Sequence, residues 1–239
     1  GGSIFPNLKN IKFTSMKRLR QIWHPKFPLH SFGKLHELII DRCNKLENVF
    51  PSYMVGSFLS LCDLKVTNCK SIEKIFDLKS VGKRRAWNMI TSLQNVHVKA
   101  LPKLEHVWNE DPGGILRFTY LKKIWVQECL NLKHIFPVSI AMNLKNLEYL
   151  EIWNCAQLKE IVFRRATIKI KESSVLFEFP KLTTARFSKL PNLESFFGGA
   201  HELRCSTLYN LSVEHCHKLW LFRTEIANPE KKPVFLPEE

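Results

Sequence analysis

The sequence predicts an α/β solenoid built from short parallel strands, one per structural repeat. Three observations carry that prediction. A hydrophobic frame, L-x-x-L-x-L-x-x-C-x-x-L-x-x-I-F, recurs eight times, its copies start 26 to 35 residues apart, and five of the seven cysteines occupy the same frame position. Self-similarity at a near-constant period marks repeats that cannot bury their apolar faces alone and stack into one continuous core.

The first copy runs Leu8, Ile11, Phe13, Met16, Leu19, Ile22, Trp23, and the second Leu35, Leu38, Ile40, Cys43, Leu46, Val49, Phe50. The third is Leu61, Leu64, Val66, Cys69, Ile72, Ile75, Phe76, and the fourth Leu93, Val96, Val98, Leu101, Leu104, Val107, Trp108. Leu121, Ile124, Val126, Cys129, Leu132, Ile135, Phe136 make the fifth, followed by Leu147, Leu150, Ile152, Cys155, Leu158, Ile161, Val162. The last two are Leu182, Ala185, Phe187, Leu190, Leu193, Phe196, Phe197 and Leu208, Leu211, Val213, Cys216, Leu219, Phe222. The ninth position reads Met, Cys, Cys, Leu, Cys, Cys, Leu, Cys, so every third repeat is the type without cysteine. Duplication of a three-repeat block is the simplest account, and both long insertions follow the third member of a triplet.

This spacing lies around the leucine-rich-repeat range, which predicts a horseshoe with its strands on the concave face. The L-x-x-L-x-L portion forms the strand, the ninth position turns the chain away, and x-x-L-x-x-I-F packs a convex wall of irregular or short-helical connections. A single helical turn is expected near Val138–Leu144, and an aromatic ladder at Trp23, Phe50, Phe76, Trp108, Phe136, Phe197 and Phe222 along the convex side. The solenoid is assigned residues 1–225, with repeats starting near 8, 35, 61, 93, 121, 147, 182 and 208; residues 226–239 form a polar tail or begin a further repeat.

With 45% hydrophobic residues in 239, the chain is long enough to bury a sizeable core without staples. No apolar run approaches the ~18 residues needed to cross a bilayer. The opening Gly1-Gly2-Ser3-Ile4-Phe5-Pro6 shows neither region of a secretory signal, and without an initiator methionine it reads as an excerpt of a longer protein or a processed chain. An odd cysteine count at wide spacing argues against a disulfide framework. Cys43, Cys69, Cys129, Cys155 and Cys216 fill the turn position as small buried residues, and reduced thiols suit an intracellular protein, whereas Cys62 and Cys205 fall outside the pattern.

No phosphate-binding loop, dinucleotide fingerprint, nucleophile elbow or zinc-helix motif is present, so the chain is read as no enzyme, with no cofactor. The best metal candidate is His215-Cys216-His217, joined by Cys205. Cys216 faces inward there while its neighbours face outward, so the ligands do not converge and no metal is assigned. A net charge of +14 raises nucleic acid as a partner, but most basic residues are scattered, and that reading rests on net charge alone. Two clusters in the long insertions, Lys83-Arg84-Arg85 and Arg164-Arg165, are candidate contact loops for an acidic surface.

Side chains alternate along a strand, so frame positions three, five and seven point to the concave, solvated side. Most of these are polar, but repeats five and six place Trp125, Tyr149 and Trp153 on adjacent strands. Large aromatics desolvate much area with little side-chain entropy to lose, which makes them interface anchors. The candidate protein-binding site therefore comprises Trp125, Trp153, Tyr149, Lys123, Glu151, Arg186, His97 and Lys65.

The phrases Phe136-Pro137-Val138-Ser139, Leu147 through Cys155, and Leu158 through Val162 resemble plant intracellular immune receptors. So do Phe179-Pro180-Lys181-Leu182 with Leu190-Pro191-Asn192-Leu193, and Cys216-His217-Lys218-Leu219. The resemblance is to the repeat region of coiled-coil nucleotide-binding leucine-rich-repeat (NLR) disease-resistance proteins, and it covers nearly the whole chain. It implies recognition of a pathogen effector or a guarded host protein. It also implies an inhibitory contact with the parent protein's nucleotide-binding domain, and a cytoplasmic location with the nucleus as a second compartment. ATP binding does not transfer, because this chain carries no nucleotide-binding domain. The alternative is the substrate-recruiting repeats of an F-box ubiquitin-ligase subunit, usually more uniform in length. An extracellular receptor ranks third, since paired capping cysteines are missing and Asn210-Leu211-Ser212 is the single glycosylation sequon.

Overall fold

The structure, a computed structural model, describes residues 4–28, 31–79, 89–164, 175–199 and 201–219. Each of the eight frames supplies one five-residue strand at positions three to seven: Asn10–Thr14, Glu37–Asp41, Asp63–Thr67, Asn95–Lys99, Lys123–Gln127, Tyr149–Trp153, Thr184–Ser188 and Asn210–Glu214. They form one sheet in sequence order, every neighbouring pair parallel and in register, so that a frame position in one repeat lies beside the same position in the next. The fourth and sixth positions point inward. From Leu38 and Ile40 to Ala185 and Phe187 they are buried, whereas Ile11, Phe13, Leu211 and Val213 on the two outermost strands are half-buried.

The turn out of each strand is made one residue earlier than the frame suggests. Ser15, Arg42, Asn68, Ala100, Glu128, Asn154, Lys189 and His215, the eighth position of every repeat, adopt left-handed backbone with φ between 52° and 56°. A side chain costs roughly 1–2 kcal/mol in that region. The compensation is a ladder bond: the Ser15 amide donates to the Asp41 carbonyl at 2.8 Å, Ala100 to Gln127 at 2.9 Å and Lys189 to Glu214 at 2.9 Å, each reaching the next repeat. Ala100→Gly, which relieves the strain and keeps the bond, is expected to raise stability by about 0.5–1 kcal/mol in a urea melt, net of the entropy glycine adds to the unfolded chain.

The turn directs the ninth residue into the core, which explains its preference for cysteine. The Cys43, Cys69, Cys129, Cys155 and Cys216 thiols each donate to the seventh-position carbonyl of their own strand at 3.2–3.5 Å. Cys43, Cys155 and Cys216 also reach the preceding repeat, at the carbonyls of Phe13, Val126 and Phe187. A small, weakly donating side chain fits there, and in two of the repeats without cysteine the buried Leu101 and Leu190 fill the same position with apolar volume alone. All seven cysteines are free thiols.

The convex wall is more regular than its sequence suggests. Asn48–Phe50, Lys74–Phe76 and His106–Trp108 form one short parallel ladder, and Phe136–Pro137, Glu160–Phe163 and Ser195–Phe197 another. Helix is limited to a 3-10 segment, Ser52–Ser57, and one turn, Val138–Ala141, among the described residues. Both follow a Phe-Pro pair at the same place in successive triplets. Inside this wall the aromatics stack: Trp23 on Phe50 (5.8 Å, 13°), Phe50 on Phe76 (5.2 Å, 7°), Phe76 on Trp108 (5.7 Å, 11°) and Trp108 on Phe136 (5.5 Å, 28°). Val162 ends the stack in repeat six, and Phe222 lies outside the described residues.

The repeat also extends upstream. Phe32, Phe58, Phe118 and Phe179 are buried three residues before a frame leucine, and their carbonyls accept the amide of that leucine. Cys205 occupies this slot in repeat eight, where burial pushes its thiol up to about 12. That accounts for one of the two cysteines outside the frame. Cys62 is half-buried, its thiol donating to the Ser60 carbonyl at 3.6 Å.

On the convex ladder, His106 and His134 are bridged through their backbones, and the Phe163 ring lies 6.4 Å and 5.0 Å from theirs. Burial, then the neighbouring His106 and Lys133, lower His134 from the ordinary 6.5 to about 4. The unfolded chain therefore takes up this proton first as pH falls, and the stabilisation present above 6.5 is lost progressively down to about 4. The folding free energy is expected to drop by on the order of 2 kcal/mol across that window. His134→Gln should flatten the slope in urea melts at graded pH; an unchanged slope would assign it elsewhere.

Candidate functional site

The register gathers most of the predicted site into one row. Lys65 pairs with His97, His97 with Trp125, Trp125 with Glu151 and Glu151 with Arg186, all at the fifth frame position on consecutive strands. Beside this row, Lys123 pairs with Tyr149 at the third position, and on its other side Gln127 pairs with Trp153 at the seventh. Strands sit about 4.8 Å apart, so the row spans roughly 20 Å.

The centre of the patch is packed. Trp125 lies between His97 (ring centroids 5.9 Å) and Tyr149 (5.5 Å). The Tyr149 hydroxyl donates to Glu151 Oε2 at 2.5 Å, and the Gln127 amide donates to Glu151 Oε1, so both carboxylate oxygens are engaged within the patch. Burial and then the Glu151 bond raise the Tyr149 hydroxyl above its ordinary value. Burial and then the Lys65 charge lower His97, which leaves the imidazole neutral at pH 7. The guanidinium of Arg186 lies 5.9 Å above the Tyr149 ring and the ammonium of Lys189 lies 5.4 Å above Trp153. Cations over aromatic faces hold both partners in a defined orientation.

One expected grouping divides. Trp125 joins His97 and Tyr149, whereas Trp153 sits apart under Lys189. Sequence reasoning missed Lys189 because its left-handed backbone, which carries the side chain over the sheet, is not signalled by residue type. Gln127 was legible as a concave position, but its bond to Glu151 was not.

Elsewhere on this face, Asp41 accepts hydrogen bonds from Thr67 Oγ1 (2.7 Å), Asn68 Nδ2 (2.8 Å) and Arg42 Nε (2.7 Å), and these, Asn68 foremost, hold its carboxyl at about 2. This ties the ends of two strands together. Of the basic candidates, Lys83, Arg84, Arg85 and Arg165 lie outside the described residues, and Arg164 is exposed at the end of Glu160–Phe163. The Cys216 thiol points inward to the Phe187 and Glu214 carbonyls, while His215 and His217 are exposed with ring centroids 6.3 Å apart. Among the described residues no three or more His, Cys, Asp and Glu side chains gather to hold a metal ion.

No helix among the described residues is long and apolar enough to cross a membrane. No solved structure matches the chain. A probable disease resistance protein of Arabidopsis thaliana is 31% identical over 132 residues, which cover 54% of this chain and 13% of that protein. The chain thus spans a small fraction of its relative's length. Residues 7–156 match the family described as plant disease resistance protein RPS2-like, leucine-rich repeats, and take in the first five concave strands and the sixth. Repeats seven and eight continue the same frame, register and left-handed turn beyond the matched segment. With its frame, fold and family match in agreement, the chain belongs to the leucine-rich-repeat region of plant disease resistance proteins of the NLR class.

Proposed function

We propose that this segment is the recognition surface of its parent receptor, a binding module rather than an enzyme. Its concave face engages a pathogen effector or a guarded host protein in the cytoplasm or nucleus. The observation that carries the reading is the pre-organised patch of His97, Trp125, Tyr149, Glu151 and Arg186. Aromatics held by ring contacts and hydrogen bonds lose little entropy on binding, and outside a core they serve contacts. By the same reasoning the surface contributes to autoinhibition, contacting the parent's nucleotide-binding domain until a ligand displaces it. The family found favours this over the F-box alternative, which has no support beside it. The test is the full-length receptor carrying Trp125→Ala and Trp153→Ala, expressed in leaf tissue with the effector that activates it. The response should be lost at unchanged protein level, and a full response from the double variant would refute the reading.

A further inference from the structure

The concave face is electrically divided, and its division points to the chemistry of the partner. Lys65, Lys123, Arg186 and Lys189 are exposed, and none has a carboxylate within ion-pair distance among the described residues. They flank the Trp125–Tyr149 centre from strands three, five and seven of the sheet and, for Lys189, from the turn that follows strand seven. The one carboxylate inside their ring, Glu151, spends both oxygens on Tyr149 and Gln127, and the nearby Lys99 is already paired with Glu128 at 3.4 Å. Acidic side chains instead lie toward the two ends of the sheet: Glu37 and Asp41 on strand two, Asp63 two residues from Lys65 on strand three, and Glu214 on strand eight.

Four cations without a carboxylate partner outnumber the single charge of Glu151 and leave a net positive potential over a centre of packed, half-buried rings. Such a surface gains from a partner that brings carboxylates to the rim and an apolar side chain to the middle. Resting on the proposal that this face binds protein, we infer that its occupant is an acidic protein segment. Its Asp and Glu side chains meet Lys65, Lys123, Arg186 and Lys189 while an aliphatic or aromatic residue packs on Trp125. A nucleic-acid strand fits less well. Its uniform phosphate charge, extended across the strands, would run against Glu151 at the centre and the acidic side chains toward either end.

Three short fluorescein-labelled peptides test this by anisotropy against the full 239-residue chain. One is built from Asp, Glu, Phe and Leu, one has Lys and Arg in place of the acids, and one has Ser and Gln; a labelled thymidine oligonucleotide is the fourth probe. The acidic peptide should bind at least about 10-fold more tightly than the others, weaken as salt rises, and weaken about 10-fold with Lys123→Glu plus Arg186→Glu. The milder pair, Lys123→Gln with Arg186→Gln, should lie between, with the melting temperature of each variant confirming that it folds. Equal binding of the acidic and neutral peptides, tighter binding of the oligonucleotide, or indifference to both charge variants overturns the inference. If the neutral peptide binds equally well and Trp125→Ala abolishes it, the acidic preference falls while the recognition surface stands. If Trp125→Ala changes nothing, both fall.

Discussion

Replacing Phe76 with alanine is expected to remove about 4 kcal/mol of stability, the largest effect of any single substitution considered for this chain. Phe76 is fully buried and stacks on Phe50 on one side and Trp108 on the other, while Phe58 and Phe118 close its edges at 5.4 and 5.6 Å. Truncation leaves a void that the four surrounding rings cannot collapse to fill. The solenoid makes the consequence specific, because each repeat contacts chiefly its neighbours and its stability depends on the interfaces either side. A weakened third repeat should let the two flanking blocks unfold separately. The urea transition should then shift to lower concentration and lose coincidence between tryptophan fluorescence and circular dichroism. Val162→Ala, at the same frame position where the stack has already ended, should cost markedly less, about 1–2 kcal/mol. Equal costs at the two sites would show that the stacked column adds nothing beyond ordinary burial.

The second large effect is on binding. Trp125→Ala together with Trp153→Ala should weaken the receptor's complex with its activating partner by about 100-fold, taking 2 kcal/mol or more for a central aromatic anchor and less for a peripheral one. Trp125 should dominate. It fills the middle of the row between His97 and Tyr149, whereas Trp153 lies off the row beneath Lys189. Both side chains are half-buried on a solvated sheet, so stability should change by no more than about 1 kcal/mol. That separation of affinity from stability, read by calorimetric titration beside thermal melts, distinguishes a docking surface from a packing one.

The strands, their register and the core were legible because they depend on one repeated choice. An apolar side chain at positions four and six alternates with a mostly polar one at three, five and seven, and any slip would turn Leu38 or Val126 out to water. The left-handed turn was not legible. Its eight residues share no side-chain character and none is glycine; the conformation is imposed by the bond to the next repeat, as when Glu128 donates to the Trp153 carbonyl. The convex strands escaped notice for a related reason. Segments such as Asn48–Phe50 and His106–Trp108 are too short to show a period, and pairing follows from the stacked aromatics beneath them. At the candidate site the sequence named the row but not its bonds. Alternation assigns a face; whether Trp125 turns toward Tyr149 or Trp153 depends on rotamers that frame spacing does not determine.

We propose that recognition uses the concave sheet. Hydroxyl-radical footprinting of the receptor, free and in complex with the partner that activates it, tests this most directly, because the indicator side chains are already in place. Trp125, Tyr149 and Trp153 report on the concave patch, while the exposed Tyr120 and Met142 lie outside its strands. Protection of Trp125 and Tyr149 on binding, with Tyr120 and Met142 oxidised as before, is the predicted result. Protection of Tyr120 or Met142 with the concave aromatics still oxidised at their free rate would contradict it.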